Sequence, residues 1–213
     1  MLDIVVTGLS ANSVPYIEGL DLQRAVHRAV VAGERPDTVL LLEHPSVYTA
    51  GKRTSPDERP DDGTPVIDVD RGGKITWHGP GQLVGYPIIR LAEPIDVVGY
   101  VRRLEGVLID VLHGFGVDGR RVDGRSGVWV GPEGGEHKIA AIGIRVADGV
   151  TMHGFALNCS NSLEPYEKIV ACGIRDAGIT TISRELGCAV TPTDLVDAVG
   201  ARLRLEFEGA LAA

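Results

Sequence analysis

Long apolar runs are missing from this 213-residue sequence, and none reaches the length that is needed to span a bilayer. Only three cysteines are present, Cys159, Cys172 and Cys188, and their spacing forms neither a CxxC pair nor a disulfide framework. The N-terminus also lacks the basic start and apolar stretch of a signal peptide. These absences predict a cytoplasmic protein whose cysteines are thiols.

Positive charge is also scarce, and the net charge of −8 argues against non-specific nucleic-acid binding. The six histidines show no HxH or HExxH spacing, so a metal hydrolase is a weak alternative and we expect no metal. A hydrophobic content of 44% and a charged content of 23% are typical of globular proteins. The length predicts a single domain over residues 1–213 with a sizeable core.

Hydrophobic patterns alternate between strand and helix along the chain. The spacing from Asp96 to Phe115 predicts an amphipathic helix, and Thr191 to Asp194 is a capping box for a last helix that ends near Phe207. Predicted strands include 38–42, 66–69, 126–130, 138–146 and 150–157. The order of elements predicts an α+β fold with a mixed, largely antiparallel sheet flanked by helices.

A glycine-rich stretch from Arg71 to Gln82 is the most informative part of the sequence. Its glycines permit backbone angles that other residues avoid and leave room between backbone and ligand. Among these glycines stand Arg71, Lys74, Thr76, Trp77 and His78. The stretch favours a binding site, although any turn-rich segment also needs glycine. The polar, proline-rich loop 52–65 before it is either a lid or a simple connection.

Two side chains are candidates for chemistry. Lys138 opens an apolar strand; a lysine there usually points to water, but a buried one loses solvation, which favours a neutral amine that acts as a base. Cys172 precedes Gly173, which leaves space beside the sulfur for an acyl carbon. A free thiol is only a few per cent thiolate at pH 7, so a neighbouring lysine would have to assist it. A buried, inert cysteine remains the alternative.

Four motifs together resemble the octanoyltransferases of lipoate biosynthesis, over most of the chain from about His44 to Thr181. They are Arg71–Gln82, Lys138–Gly143, His153–Asn158 and Cys172–Ile174, the last followed by Thr180 and Thr181. The resemblance implies the fold of biotin and lipoate protein ligases. One departure is Ala171, where members of the family commonly carry proline, which affects the rigidity of the turn at Cys172.

That resemblance implies transfer of octanoyl from acyl carrier protein to a lysine of a lipoyl domain of 2-oxoacid dehydrogenases or of glycine-cleavage H protein. It implies a Cys172–Lys138 dyad, an acyl-enzyme, and no cofactor beyond the phosphopantetheine of the carrier. The implied substrate-binding residues are Arg71, Gly72, Gly73, Lys74, Ile75, Thr76, Trp77, His78, Ala141, Ile142, Gly143, Gly154, Phe155 and Ala156. Within this set we expect Ile75, Trp77, Ile142 and Phe155 to form the walls of an apolar tunnel. The roles of His44, His78 and His153 stay open.

Two further interpretations compete with this one. An ATP-dependent lipoate or biotin ligase shares the fold, but ligases carry a third glycine and a His-Asp pair. Here Lys74 replaces that glycine and Gly79 follows His78. A catalytically inactive scaffold that only binds lipoyl domains or fatty acids predicts that Cys172 is dispensable.

Overall fold

The computed structural model describes residues 1–60, 63–170, 173 and 176–208, so Cys172 lies outside the described part of the chain. The strands are β1 (Asp3–Val6), β2 (Thr38–Leu42), β3 (Val47–Ala50), β4 (Val66–Asp68), β5 (Thr76–His78), β6 (Gln82–Ile88), β7 (Arg120–Val122), β8 (Arg125–Val130), β9 (His137–Ala147), β10 (Val150–Asn158) and β11 (Gly178–Ile179). The helices are α1 (Tyr16–Val31), α2 (Val97–Gly114), α3 (Glu164–Glu167), α4 (Ile182–Leu186) and α5 (Pro192–Glu208).

The described residues form one large, mixed sheet with the strand order β1-β2-β6-β10-β9-β8-β7, and β11 pairs with β9. Most neighbours are antiparallel, while β1 with β2 and β11 with β9 are parallel. The prediction of an α+β fold with a largely antiparallel sheet is therefore confirmed. A second, small sheet of order β4-β3-β5 holds the centre of the glycine-rich stretch against β3.

Both faces of the large sheet are covered, which explains why β2 is apolar at almost every position. Val39 and Leu41 pack with α2 and α5 on one face, whereas Leu40 and Leu42 pack with α1 on the other. Successive strand side chains point to opposite faces, so a strand buried on both sides loses the usual alternation of polar and apolar residues.

Helix ends follow the sequence signals. The Asp96 carboxylate accepts a hydrogen bond from the Gly99 N–H at 2.8 Å at the start of α2. Before α5, the Asp194 carboxylate accepts from the Thr191 N–H at 2.8 Å, which is one of the two hydrogen bonds of the predicted box, while the Asp194 N–H donates to the Thr191 carbonyl at 3.1 Å. No helix in the described residues has the length and apolarity that a bilayer-spanning segment requires.

Candidate active site

A cavity of about 240 Å³ opens between the glycine-rich stretch and strands β9 and β10. The predicted site residues that line it are Arg71, Gly73, Lys74, Thr76, His78, Lys138, Ala141, Ile142, Gly143, Gly154, Phe155 and Ala156. Strand register explains how two distant motifs meet, because Ile142 lies opposite Phe155 and Gly143 lies opposite Gly154. Tyr16, Tyr86 and His153 complete the wall at one end.

Three predicted residues do not line this cavity. Gly72 donates its backbone N–H to the Ile144 carbonyl at 2.9 Å. Ile75 and Trp77 are buried in a separate cluster with Tyr48, so the structure does not place them in the expected tunnel wall. The reason is strand alternation: Thr76 faces the cavity and the next side chain, Trp77, faces away.

Arg71 organises the loops around the cavity rather than presenting an open guanidinium. Its Nη2 donates to the carbonyl oxygen of Thr49 at 2.9 Å and to the Oγ1 of the same residue at 3.0 Å. Its Nη1 donates to the carbonyl oxygens of Gly72 at 3.0 Å and Lys74 at 2.8 Å. The guanidinium therefore joins the end of β3 to the turn that precedes β5.

Lys74 anchors the loop 52–65 to the same turn. Its ammonium pairs with the buried Glu58 carboxylate, which also accepts from the Ser55 N–H at 2.9 Å. The aliphatic part of Lys74 lies against Gly173, whose φ of +70° and lack of a side chain permit this approach. Cys172 itself lies outside the described residues.

Lys138 is a buried cation in an unusual setting. Its side chain is only 7% exposed, and its Nζ lies 4.6 Å from the centroid of the Trp129 ring. No carboxylate or hydrogen-bond acceptor pairs with this ammonium in the part of the chain that the structure describes. Gly127 packs beside it: a Cβ there would clash with the Ala140 carbonyl, while the Lys138 Cε would lie at an ordinary contact distance of 3.5 Å. Lysine is almost never buried without a partner, so Lys138 is a candidate functional residue of the cavity.

His78 is held in one orientation by a chain of amides. Its Nδ1 lies 2.8 Å from Gln82 Oε1, while Gln82 Nε2 donates to Asn158 Oδ1 at 2.9 Å. Asn158 Nδ2 donates in turn to the Thr180 carbonyl at 3.0 Å. This network assigns the proton to Nδ1 and leaves Nε2 as an acceptor. Burial, aided by the charge of His44, lowers the pKa of His78 to about 3, so the ring is neutral at pH 7.

A second neutral imidazole lies behind the first. His44 Nδ1 contacts the Val14 carbonyl at 2.6 Å, and its Nε2 contacts the Tyr86 hydroxyl at 2.7 Å. Burial lowers the pKa of His44 to about 4. The Tyr16 ring stacks on His78 with centroids 6.1 Å apart, and burial raises the pKa of Tyr16 to about 12. The side chains of Tyr16, His44 and His78 are therefore uncharged at neutral pH, although the Arg71 guanidinium lines the same cavity.

His153 contacts Asp70, the residue that precedes Arg71 in the chain. Its Nε2 lies 2.8 Å from Asp70 Oδ1, and Arg145 pairs with the other oxygen of that carboxylate. Burial lowers the pKa of His153, although Asp70 opposes that shift. The residue has a φ of +57°, which is uncommon for a side chain other than glycine, and its N–H donates to Gln23 Oε1 at 3.0 Å. The structure thus gives His153 an orienting position.

The two described cysteines offer no competing nucleophile. Cys159 is fully buried with its Sγ 3.3 Å from the Leu157 carbonyl, and burial raises the pKa of its thiol. Cys188 is exposed and does not line the cavity. Among the described residues no cluster of three His, Cys, Asp or Glu side chains has the arrangement of a metal site.

Several residues of this site escaped sequence reasoning. Tyr16 and Tyr86 carry no local signal, since each occupies an ordinary apolar position of its element. Trp129 lies opposite Lys138 in register, which only the pairing of β8 with β9 reveals. Glu58 did have a signal: Ser55 three residues before it is the pattern of a capping box, and the box is formed.

Comparison with known sequences agrees with this architecture. A family profile described as lipoyl protein ligase A/B catalytic domain matches residues 15–204. An octanoyltransferase of Clavibacter sepedonicus is 70% identical, over 92% of this chain and 87% of the relative. An octanoyltransferase of Leifsonia xyli subsp. xyli is 65% identical, over 94% of this chain and 91% of the relative.

Solved structures share the fold at low sequence identity. The bipartite lipoate protein ligase from Thermoplasma acidophilum has a TM-score of 0.70 at 13% identity, covering 97% of this chain and 83% of that one. A lipoate-protein ligase A bound with ATP has a TM-score of 0.65 at 14% identity, covering 99% and 85%. A biotin protein ligase from Aquifex aeolicus has a TM-score of 0.54 at 11% identity, covering 98% and 69%. The predicted likeness to the fold of these ligases is confirmed.

Proposed function

The chain belongs to the octanoyltransferases, within the lipoyl protein ligase A/B catalytic domain family, and we propose that it moves octanoyl from octanoyl-acyl carrier protein to a protein lysine. Cys172 is the nucleophile of this proposal and Lys138 is its base. The acceptor is a lipoyl domain of a 2-oxoacid dehydrogenase or glycine-cleavage H protein. Residues 1–213 act as one acyltransferase domain in the cytoplasm, a location that the low cysteine content favours.

The observation that carries the proposal is the setting of Lys138. Its amine is buried, lies over an aromatic face and has no acidic partner among the described residues, which is an unusual setting for a lysine. An amine held at the edge of this cavity is positioned to exchange protons with a bound substrate. Lys138 lines the same cavity as the motifs around Gly143 and Gly154, where an acyl group would lie.

The two half-reactions need no other reagent, because a thioester is already activated for acyl transfer. The Cys172 sulfur attacks the octanoyl carbonyl carbon while Lys138 takes the thiol proton. The bond from that carbon to the carrier sulfur breaks, and the leaving thiolate takes the proton from Lys138. The acceptor amine then attacks the acyl-enzyme, Lys138 removes its extra proton, and the Cys172 thiolate recovers that proton as the amide forms.

The cavity wall supports an apolar acyl group. Ile142 and Phe155 are paired across β9 and β10, and the uncharged side chains of Tyr16, Tyr86 and His78 also line the cavity. Each methylene that leaves water contributes about 0.8 kcal/mol, so a chain of eight carbons gains several kcal/mol there. The proposal includes no metal and no cofactor other than the phosphopantetheine that brings the acyl group.

Mass spectrometry tests the covalent step directly. Protein mixed with octanoyl-acyl carrier protein should gain one octanoyl group on the peptide that contains Cys172, and Cys172→Ala should abolish both the adduct and transfer. Cys188→Ala is the matched control, since it removes an exposed thiol away from the cavity and should change neither. Transfer that proceeds at the normal rate in Cys172→Ala would refute the acyl-enzyme. A requirement for ATP would indicate the ligase reaction instead.

A further inference from the structure

A second cavity, of about 300 Å³, lies on the other side of Lys138. A small space of about 10 Å³ separates the two cavities and is bordered by Thr76 and Ala156 from the first and by Tyr166 and Ile179 from the second. Lys138 borders all three spaces. The proposed base therefore stands at a junction, with one cavity on each side.

Trp129 gives the second cavity an unused hydrogen-bond donor. The residue is fully buried and lines this cavity, yet its indole Nε1 has no hydrogen-bond partner in the described part of the chain. Buried indole N–H groups usually find an acceptor, and one without a partner costs free energy. Trp77, the other tryptophan, follows that rule, because its Nε1 donates to Ser46 Oγ at 2.9 Å. Among the residues that the structure describes, the Trp129 donor is therefore left without an acceptor at the wall of the second cavity.

We infer that the second cavity binds the thiol arm of the acyl donor, an amide-bearing chain of the pantetheine type, with an amide carbonyl accepting a hydrogen bond from Trp129 Nε1. The inference rests on the proposed function, because it names where the leaving group of that reaction lies. It makes Trp129 a residue that recognises the donor, separate from the residues that hold the acyl chain.

The connectivity of a thioester matches the two cavities. The acyl chain and the thiol arm leave the reacting carbon in different directions, and Lys138 lies between the two spaces that would receive them. In a thiol of the cysteamine type, two methylene groups separate the sulfur from the first amide. The Trp129 ring centroid lies 4.6 Å from the Lys138 Nζ, so the indole borders the same junction as the proposed base.

The chemistry of the walls favours an amide arm over an incoming lysine. An indole N–H only donates, and a lysine ammonium only donates, so the two cannot pair. The basic and acidic side chains that the structure describes in this wall are Lys138, Arg184 and Glu167, and two of the three would oppose a second cation more than a neutral amide chain. Ile169 and Ile179 supply apolar surface for the methylenes and methyl groups of such an arm.

The test compares donors that differ in one amide. Octanoyl-N-acetylcysteamine carries the amide, and octanoyl hexyl thioester lacks it; octanoyl-acyl carrier protein is the reference donor. Wild type should use the amide donor with the higher kcat/KM, and Trp129→Phe should reduce that preference about fivefold and raise the KM of the carrier-protein donor to a similar extent. Trp77→Phe removes the other indole N–H and should leave the preference unchanged.

Trp129→β-(3-benzothienyl)alanine replaces the N–H by sulfur at nearly constant volume, so it reports on the donor even if Trp129→Phe folds poorly. An unchanged donor preference in this variant would overturn the inference, as would a variant that raises only the KM of the lipoyl-domain acceptor. Absence of transfer from any of the three donors in wild type is a different result, because it would refute the proposed function itself.

Discussion

The two sides of Lys138 differ in how their polar groups are satisfied. In the first cavity, His78, Gln82 and Asn158 form a continuous network in which each amide has its partner. In the second cavity, the Trp129 N–H has none among the described residues. A satisfied network fixes the shape of a wall before the substrate arrives, whereas an unpaired donor marks a place where the substrate supplies the missing acceptor.

The largest effect on activity is expected when the Lys138 amine, which borders both cavities, is removed. Lys138→Met keeps an aliphatic chain over the Trp129 ring but removes the base, so kcat should fall about 100- to 10,000-fold. Stability should be unchanged or higher, since an uncharged side chain replaces a buried, unpaired ammonium. Steady-state kinetics and thermal unfolding measure the two effects. Lys52→Met, at an exposed lysine, is the control, and near-normal activity in Lys138→Met would exclude the base.

Filling one cavity at a time separates their roles. Ile142→Trp occupies space in the first cavity, so kcat/KM for octanoyl transfer should fall at least tenfold while transfer of a butanoyl group is much less affected. The control is Ile179→Trp in the second cavity, which should leave the preference for acyl length unchanged. Rates with acyl-carrier proteins of both chain lengths provide the measurement. Equal loss for both chain lengths in Ile142→Trp would argue against an acyl site there.

A smaller effect is expected on the pH dependence of stability, because two buried histidines are neutral in the folded protein. His78 and His44 have folded pKa values of about 3 and about 4, while an unfolded imidazole binds a proton near pH 6.5. Between these values the unfolded state binds more protons, so the free energy of unfolding falls as the pH falls below about 6.5. Each residue contributes up to about 1.4 kcal/mol per pH unit.

Urea unfolding at pH 7, 6 and 5 measures this slope. His44→Gln should flatten it, because the variant removes one group that must be neutral in the folded protein. His113→Gln removes an exposed histidine and should keep the wild-type slope. Identical slopes in all three proteins would show that buried His44 does not control acid sensitivity.

Local patterns predicted most of the framework. The apolar run 38–42 became β2, the i, i+3, i+4 spacing after Asp96 became α2, and the two runs flanking Asp148 became β9 and β10. Most of the residues implied by the resemblance also line one cavity. The expectation that Ile75 and Trp77 form the tunnel wall came from a resemblance that covers the whole segment. In the structure, neighbouring side chains along β5 point to opposite sides, so these two residues pack with Tyr48 instead.

Sequence alone determined most of the helices and strands and pointed to the motifs that line the first cavity, because periodicity, caps and glycine turns act over a few neighbouring residues. Only the tertiary structure decided that Lys138 lies over Trp129, that Glu58 holds Lys74, and that a second cavity faces the same amine. Those contacts depend on strand register and on the packing of a distant loop. Strand register and loop packing are set by the burial of the whole core, so no short stretch of residues determines them.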